Sequence, residues 1–517
     1  MPYRQSRRTA IIDLGSNTTR LIVMKGIGGY IYQLSDEVRE VVRLRKGMTS
    51  EGLSPEAIER ALLTLRLFKR FCEATRVDTV IATATSAVRD APNGPAFIDQ
   101  VYQEIGLGLR ILDGEQEAYY EMIGALNEVP LQDGYIMGIG GGSMQISQVQ
   151  SRRMKACTSL PIGTIALTER FVQGDPIKKR ELRDLQNGID QQLDQISWLK
   201  PNGPGVLVGT GGTIRNLAKI AIAQLDYPLN TLHGYDLSRA SIAHSIELFK
   251  SLPLEKRKAI RGLNRDRADI ILPGAMVVHS VMERLDMSAI RISVNGLREG
   301  LFFEQFWRDL PSPVIDDVRG FGVLNMARTY HYEKAHADHV RYLSSRMFDD
   351  LQALHGYGPD ERELLEAAAI LHDVGVLVNF SDHHKHSESL IINSGIPGFS
   401  ARETAIVALL TRYHRKGTPD TSSYHAVLRP EDDRLVWQLA ALLRLAEKLE
   451  RGRSQAVRGV EMRYDDDSLE IVVDADEYPG VEIWEAERSA AELVEAAFGR
   501  RVTLKATLAP PYRIALS

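Results

Sequence analysis

The spacing of hydrophobic and polar positions changes near residue 310, and this change predicts two differently built regions. Over residues 9–310, short apolar runs alternate with amphipathic stretches that have a helical period. The run "GVLVGTGGTIRNLAKIAI", which begins at Gly205, has the order strand, glycine turn and helix. Strands that alternate with helices in this way are typical of an α/β fold.

Downstream of this region the pattern predicts a mainly helical segment. The stretch "RDLPSPVIDDVRG" (308–320) has two prolines and adjacent acids, which indicates a linker. From 321 to about 455 the helical period dominates, as in "ERELLEAAAILHDVG". After that, "SLEIVVDA" alternates like a strand, and "EIWEAERSAAELVEAAFG" has the pattern of a helix that ends at Gly499. The tail is therefore predicted to be mixed.

An internal repeat points to a binding cleft. The stretch "IIDLGSNTTRLI" (11–22) aligns without a gap with "IMGIGGGSMQIS" (136–147), and both read as strand, small-residue turn and strand. Two related halves would bring their turns to one ligand, and backbone N–H groups in such turns bind anions. A third turn, "GTGGT" (209–213), precedes a helix whose N-terminus would face the same anion. Each turn alone also fits an ordinary hairpin, but the three together favour a phosphate site.

Composition and charge restrict the class of protein. The 517 residues are enough for two to four domains, and 44% apolar with 25% charged residues is ordinary for a globular protein. A net charge of -5 argues against a protein that coats nucleic acid. Two cysteines, Cys72 and Cys157, exclude a disulfide framework and indicate a reducing compartment. We therefore expect a cytoplasmic protein with no signal peptide, membrane span or nucleic-acid partner.

Two sets of motifs resemble one known family. Those of the α/β region are "DLGSNTTRL" (13–21), "ATSAVRDAPNG" (84–94), "DGEQEAY" (113–119), "GIGGGSMQIS" (138–147), "SLPIGTIALTERF" (159–171), "GTGGTIRNLA" (209–218), "RADIILPGA" (267–275) and "NGLREG" (295–300). Those beyond the linker are "HADHVRYLSSRMFDDL" (336–351), "AAILHDVG" (368–375), "HKHSESLIINSGIPGF" (384–399) and "TRYHRKG" (411–417). In content and order they resemble the Ppx/GppA phosphatases, which comprise exopolyphosphatases and guanosine pentaphosphate phosphohydrolases of the actin/Hsp70-like ATPase superfamily.

The resemblance implies a fold and its division into domains. It implies an α/β, duplicated actin/Hsp70-like (ribonuclease H-like) phosphatase core, followed by an all-α HD-like domain and a small α+β C-terminal domain. The long members of the family, which carry the HD-like domain, also lead us to expect a homodimer. The predicted pieces are lobe I (1–125), lobe II (126–312), the helical HD-like domain (313–455) and the C-terminal domain (456–517).

Phosphoanhydride hydrolysis needs a cradle for phosphoryl oxygens, positive charge and a base that orients water. The predicted phosphate-binding residues come from the three turns and from "SAVRDAPN", which lines the cleft in the family. They are Ser16, Asn17, Thr18, Arg89, Asn93, Gly140, Gly141, Gly142, Ser143, Gly211, Gly212 and Thr213. Arginine at position 89 would contact phosphate with its planar fork. Arg20 follows Ser16 by four residues, and a solvated position on its strand is one interpretation of it.

The resemblance implies that Glu117 is the catalytic base, because in the family this segment reads glycine, two positions, glutamate and alanine. Glu115 and Glu121 are interpreted as solvated helix charges. Asp13 and Glu117 would hold Mg²⁺ or Mn²⁺ only weakly. The family usually has acids where this chain has Gln116, Gly138 and Gln145, and arginine where it has Ala166.

The helical domain raises a second metal question. HD phosphohydrolases bind metal through a histidine, a His-Asp pair and a distant aspartate. Here the resemblance points to His336, His372 and Asp373, with Glu447 in the fourth position. Imidazole and carboxylate donors suit a transition metal. Further histidines occur in the same region, namely His383, His384, His386 and His414.

The leading hypothesis is an exopolyphosphatase that processively releases orthophosphate from the end of inorganic polyphosphate. A close variant would remove the terminal 5′-phosphate of guanosine pentaphosphate. Two alternatives stay open: a degenerate regulator that binds polyphosphate or alarmone, and a phosphohydrolase that uses the HD site. Basic stretches at 178–183, 256–267 and 412–416 are either solvated helix faces or a track for a long polyanion.

Overall fold

The computed structural model describes residues 5–201 and 205–508. Its residues form two compact units. The first unit contains the residues up to Asp226 together with Leu232–Val318. The second contains Tyr227–Thr231 together with the residues from Arg319 onward.

The first unit begins with a mixed five-stranded sheet in the order β3-β2-β1-β4-β5. Strand β1 is antiparallel to β2 and parallel to β4. The strands are β1 (Arg7–Leu14), β2 (Thr19–Ile27), β3 (Ile31–Glu40), β4 (Thr79–Ala84) and β5 (Leu109–Ile111). The helices of this half are α1 (Pro55–Ala74), α2 (Ser86–Arg89), α3 (Gly94–Ile105) and α4 (Gly114–Leu126).

The second half of this unit has a six-stranded sheet in the order β10-β11-β9-β6-β7-β8. Its strands are β6 (Gly134–Ile139), β7 (Met144–Gln150), β8 (Arg153–Leu160), β9 (Val206–Thr210), β10 (Asp236–Ser238) and β11 (Ala289–Ile292). Its helices are α5 (Thr164–Phe171), α6 (Lys179–Leu193), α7 (Gly211–Ile222), α8 (Arg239–Ser251), α9 (Leu254–Arg257), α10 (Ile271–Arg284) and α11 (Leu297–Phe306), with a 3₁₀ helix at Arg265–Arg267.

The repeat in the sequence is a repeat in the structure. Strand β6 is antiparallel to β7 and parallel to β9, as β1 is to β2 and β4. The register coincides as well, because Asp13 pairs with Arg20 and Gly138 pairs with Gln145. The predicted duplication of the α/β core is therefore confirmed.

Apolar runs predicted the strands of the core because their side chains are removed from water on both faces of the sheet. Ile11, Ile12 and Leu14 of β1 are fully buried, as is Leu21 of β2. The only polar residue of this stretch of β1 is Asp13, close to the strand end where the first turn begins. The buried strands therefore fix the position of the turns that follow them.

The second unit is helical from Val318 to Leu449 and then forms a three-stranded sheet in the order β12-β13-β14. Its helices are α12 (Val318–Thr329), α13 (Lys334–Asp350), α14 (Gln352–His355), α15 (Pro359–Leu371), α16 (His383–Ser394), α17 (Ala401–Tyr413), α18 (Asp432–Leu449), α19 (Gly480–Ser489) and α20 (Ala491–Phe498), with 3₁₀ helices at Val374–Leu377 and Ser422–Tyr424. Its strands are β12 (Val457–Tyr464), β13 (Ser468–Ala475) and β14 (Arg501–Ala506).

The two cysteines are not joined by a disulfide; Cys72 is buried and Cys157 is partly exposed. Among residues 5–201 and 205–508, the structure contains no helix that is both long and apolar enough to cross a bilayer.

Candidate functional site

The three glycine turns meet in one cleft of the first unit, which has a volume of about 900 Å³ including its open mouth. The turn after β1 and the turn after β6 are in close contact. A Cβ atom on Gly141 would lie 3.0 Å from the Cβ of Ser16 and 3.4 Å from the backbone nitrogen of Asn17. A side chain at position 141 would crowd this contact, so glycine favours the close approach of two turns whose backbone N–H groups could bind one anion.

Glu117 lies in the first turn of α4 and is 5% exposed. One carboxylate oxygen pairs with Nη1 of Arg89, and the other accepts a hydrogen bond of 3.1 Å from Nε2 of Gln145. Burial raises the pKa of Glu117 to about 7, while the positive charge of Arg89 opposes this rise. A carboxylate with this pKa is suited to accept a proton near neutral pH.

Gln116, where the family usually has an acid, has a structural role instead. Its side-chain oxygen accepts a hydrogen bond of 3.1 Å from the backbone nitrogen of Asp113, and its own backbone nitrogen donates to the Asp113 carboxylate at 2.8 Å. This capping box begins α4 and turns the amide toward the helix end. Glutamine performs this capping as well as glutamate does, so the substitution leaves the first turn of α4 intact.

Glu121 lies one helical turn after Glu117 and lines the cleft. The prediction that it is a solvated charge is wrong. Its carboxylate fills the space next to Gly138, because a Cβ atom there would lie 2.0 Å from Oε2 of Glu121. Burial, together with the charges of Glu117 and Asp13, raises the pKa of Glu121 to about 8. A carboxylate from α4 therefore occupies the place beside β6 where the family usually has an aspartate.

Asp13 completes a group of three carboxylates. Burial raises its pKa, and the charges of Arg298 and Arg20 oppose this rise. Its Oδ1 atom is buried and accepts no hydrogen bond from any residue that the structure describes. An orphaned, desolvated carboxylate oxygen of this kind is a favourable partner for a cation.

Four largely buried arginines, Arg20, Arg215, Arg267 and Arg298, form another part of the cleft wall. Of the interpretations open for Arg20, the structure supports a place in the cleft wall, where it and Arg298 share Glu37, at 3.1 and 3.3 Å. Burial, together with the charges of nearby arginines, lowers the pKa of Arg20 to about 10. Burial and the charge of Arg20 lower the pKa of Arg267 to about 10 as well. A bound anion would relieve this repulsion.

Most residues predicted for the phosphate site are brought together by the structure. Those that line the cleft are Asp13, Ser16, Asn17, Thr18, Glu117, Gly140, Gly141, Ser143, Gly211 and Gly212. Gly142 and Thr213 belong to the same turns, and Arg89 reaches the site through its contact with Glu117.

Asn93 is placed elsewhere, which corrects its assignment as a phosphate ligand. Its side chain donates to the carbonyl of Leu53 at 3.0 Å and accepts from the backbone nitrogen of Leu53 at 2.8 Å. Both ends of the amide are thereby used to hold the loop before α1. Sequence proximity to Arg89 suggested a role that the packing of the loop does not allow.

In the second unit, the four residues predicted as an HD-type metal site come together from α13, the end of α15 and α18. Nε2 of His336 lies 3.1 Å and Nε2 of His372 lies 3.3 Å from Oε2 of Glu447, and Nε2 of His336 lies 3.8 Å from Oδ2 of Asp373. Burial opposes protonation of His372, but Asp373 and Glu447 outweigh it and raise its pKa to about 9. The cluster attracts positive charge, and Glu447 reaches the position expected for an aspartate.

The fold and the cleft together define a duplicated α/β core whose glycine turns form an anion-binding cleft. The chain belongs to the Ppx/GppA phosphatase family: the family model matches residues 22–308, and the model of Ppx/GppA phosphatase domain III matches residues 318–479.

Solved structures agree with this membership. A Ppx/GppA family member from Aquifex aeolicus is 27% identical, with a TM-score of 0.52, over 60% of this chain and 100% of that chain. An exopolyphosphatase from Cytophaga hutchinsonii is also 27% identical, with a TM-score of 0.54, over 58% of this chain and 98% of that chain.

Proposed function

We propose that this protein is an exopolyphosphatase that removes terminal orthophosphate from inorganic polyphosphate. The observation that carries the proposal is the concentration of charge in one cleft, which is lined by four arginines and by four acids, Asp13, Glu117, Glu121 and Glu299. Glycine turns between charged groups of both signs suit a phosphoanhydride whose terminal group reacts while the rest is held. Membership of a phosphatase family and likeness to an exopolyphosphatase support the same substrate class.

The arginines favour a polyanion over a single phosphate. The pKa values of Arg20 and Arg267 fall to about 10, chiefly because the guanidinium groups are buried and also because arginines crowd one another. One phosphate group could neutralise only part of this cluster, whereas consecutive phosphates could contact several members. The net charge of the whole chain is -5, so this local excess is a feature of the cleft.

The carboxylates fit a hard divalent cation, Mg²⁺ or Mn²⁺. Asp13, Glu117 and Glu121 supply only oxygen donors, and Oδ1 of Asp13 is buried without a hydrogen bond among the described residues. When bound, such a cation would neutralise charge that develops on the phosphoryl oxygens. We expect weak binding in the free protein, because the neighbouring arginines oppose a further positive charge.

In the proposed reaction Glu117 is the general base. Its carboxylate accepts a proton from water, the water oxygen bonds to the terminal phosphorus, and the anhydride P–O bond breaks. Orthophosphate and a chain one unit shorter are the products. Arg89 and Gln145 hold the carboxylate in place, and the backbone N–H groups of the turns bind the phosphoryl oxygens.

Guanosine pentaphosphate would present the same terminal anhydride to the cleft, and we propose it as a second substrate. We also propose that the enzyme acts as a homodimer in the cytoplasm, as the resemblance to long family members led us to expect. A competition assay of polyphosphate against guanosine pentaphosphate and light scattering of the purified protein test these two points.

The test of the main proposal is phosphate release from polyphosphate with Mg²⁺. Glu117→Gln should lower turnover by about two orders of magnitude or more while polyphosphate binding persists, because general-base loss typically costs this much. Glu115→Gln is the matched control, since Glu115 is exposed on the same helical turn, and should stay near the wild-type rate. Near-normal turnover in Glu117→Gln would reject Glu117 as the base. A wild type that binds polyphosphate without hydrolysing it would support the regulator alternative.

A further inference from the structure

The histidine cluster of the second unit extends beyond the four residues described above. Oδ1 of Asp373 lies 3.1 Å from Nε2 of His383 and 3.7 Å from Nε2 of His414. Two groups of metal-binding side chains therefore meet at one carboxylate. His336 and His372 form the first group with Asp373, and His383 and His414 form the second group with it.

Hydrogen bonds to the backbone fix the orientation of these rings. Nδ1 of His383 donates to the carbonyl of Phe380 at 3.0 Å, and Nδ1 of His414 donates to that of Thr411 at 2.7 Å. His372 makes the same kind of contact with Ala369 at 2.7 Å. A carbonyl can only accept, so Nδ1 carries the proton in each ring. The lone pair of the neutral ring is then on Nε2, which points into the cluster.

The second group brings three acceptor atoms together, Oδ1 of Asp373 and the Nε2 atoms of His383 and His414. Nε2 of His383 and Nε2 of His414 lie only 3.2 Å apart. Oδ1 of Asp373 and Oε2 of Glu447 are buried, and neither accepts a hydrogen bond within the described part of the chain. Lone pairs that face one another in a buried site call for a cation.

The cluster is assembled by five separate segments of the helical fold. His336 comes from α13, His372 and Asp373 from the end of α15, His383 from α16, His414 from the end of α17, and Glu447 from α18. All four histidines are buried, with at most 6% of each exposed. Solvated polar residues do not converge from five segments in this way. Packing of the helices is thus what places the donors.

We propose that the second unit holds two transition-metal ions bridged by Asp373. His336, His372 and Glu447 complete the site of one ion, and His383 and His414 complete the site of the other. Mixed imidazole and carboxylate donors favour ions such as Mn²⁺, Fe²⁺ or Zn²⁺ over Mg²⁺. In two-metal sites the ions lie about 3.5–4 Å apart, a spacing that one bridging carboxylate can span. The second ion has only three protein donors, so water would complete its coordination.

Arg453 supports the bridge from outside the cluster. Its Nη2 donates to Oδ2 of Asp373 at 2.6 Å, and its Nη1 pairs with Glu333. A hydrogen bond to a ligating carboxylate orients it, as outer partners of metal ligands commonly do. Asp373 can thus keep Oδ1 directed at His383 and His414 while Oδ2 is held by Arg453.

The test is the metal content of the purified full-length protein after reconstitution with Mn²⁺ and washing with excess Mg²⁺. We expect about two Mn²⁺ per chain, and an electron paramagnetic resonance spectrum of an exchange-coupled pair. The double variant His383→Ala/His414→Ala should retain about one ion and lose the coupling, and Asp373→Asn should lose most of both. His425→Ala removes an exposed histidine and should leave the pair unchanged.

Two further controls separate this proposal from the phosphatase cleft and from misfolding. Asp13→Asn changes the cleft and should not alter the count of tightly held Mn²⁺. Far-ultraviolet circular dichroism checks that each variant retains its helices. One or fewer ions in the wild type, two ions without coupling, or a coupled pair that persists in His383→Ala/His414→Ala would overturn the proposal. None of these outcomes concerns phosphate release by Glu117, which is measured separately.

Discussion

Glu117 depends on two contacts of different kind. Arg89 brings a positive charge that favours the ionised carboxylate, and Gln145 brings a neutral amide that donates to it. An acid at position 145, as the family usually has, would bring a like charge instead. In this chain the amide holds the base in place without raising its pKa further.

The pH dependence of phosphate release should reflect this balance. The base acts when ionised, and the pKa of Glu117 is about 7, so kcat/KM should rise with pH up to about 7 and fall roughly tenfold per unit below it. Arg89→Gln removes the charge that lowers this pKa, so the acidic limb should move to higher pH. Its matched control is Arg180→Gln, whose side chain is 88% exposed. A limb at the same pH in wild type and Arg89→Gln would contradict the assignment.

The residues that sequence reasoning missed had recognisable signals. Glu121 follows Glu117 by four positions on one helix, a spacing that places both on the same face. Arg215 and Arg298 stand within the motifs "GTGGTIRNLA" and "NGLREG". Arg20 could not be placed, because strand alternation defines two faces and does not say which one borders a cleft. His383 and His414 were noted near the predicted metal site, but they are 31 residues apart and their contact arises only through tertiary packing.

At the scale of elements, α4 carries two of the acids that line the cleft, Glu117 and Glu121, and begins with a capping box. The box uses the side-chain oxygen of Gln116, which a glutamate would also supply. Gln116 therefore differs from the usual acid of the family without losing its capping role. Whether position 116 caps the helix or contacts a metal ion is testable, because a cap residue and a metal ligand respond differently to added charge.

Gln116→Glu should therefore leave both phosphate release and its Mg²⁺ midpoint within about twofold of wild type. A glutamate at the third position of the helix preserves the reciprocal hydrogen bonds and also interacts favourably with the helix N-terminus, by about 0.3–1 kcal/mol. Mg²⁺ titration and thermal unfolding measure the two effects. A clearly lower Mg²⁺ midpoint would mean that position 116 does face the cation.

Position 138 on β6 and Glu121 on α4 compete for one space beside the cleft, and this gives a second prediction for these elements. Gly138→Asp alone should weaken Mg²⁺-dependent activity, because its Cβ would meet the Glu121 carboxylate at 2.0 Å and add a like charge. Glu121→Ala alone should also weaken it through the loss of an oxygen donor. The double variant Gly138→Asp/Glu121→Ala should recover most of the loss. Additive losses in the double variant, seen by Mg²⁺ titration, would show that the two positions do not substitute for each other.

The strands and helices themselves were largely predictable from the sequence. The apolar runs of β1 and β6 and the ungapped repeat between them gave the duplicated core, because a buried strand must be apolar in each copy. The helices of α15 and α18 were equally visible through their period. The spacing of hydrophobic residues could not show which loop side chains face the cleft, as Asn93 illustrates.

For the whole molecule, the two proposed sites lie in separate compact units with different donor sets. One has carboxylates and arginines, and the other has imidazoles with two carboxylates. Each set suits a different partner, a phosphate chain with a hard cation in the first and transition metals in the second. The chain can therefore lose one function while the other persists.

His372→Ala/Asp373→Ala should lower the melting temperature or the content of bound transition metal, since ions held only by the folded state stabilise it. Phosphate release from short polyphosphate should stay within a few-fold of wild type, because Glu117 belongs to the other unit. Glu117→Ala is the reciprocal variant, with phosphate release lost and metal content kept. Loss of all hydrolysis in the histidine variant, with Glu117→Ala still active, would assign the chemistry to the helical unit.

The carboxylate of Glu121 beside Gly138 also bears on how members of a family are judged from alignments. An alignment column records the identity at position 138 and scores a missing acid. The same negative charge has moved seventeen positions along the chain and remained at nearly the same point in space. A classification of homologues as active or inactive that counts acids in alignment columns would call this site incomplete. A classification that counts the charges around the cleft would include Glu121.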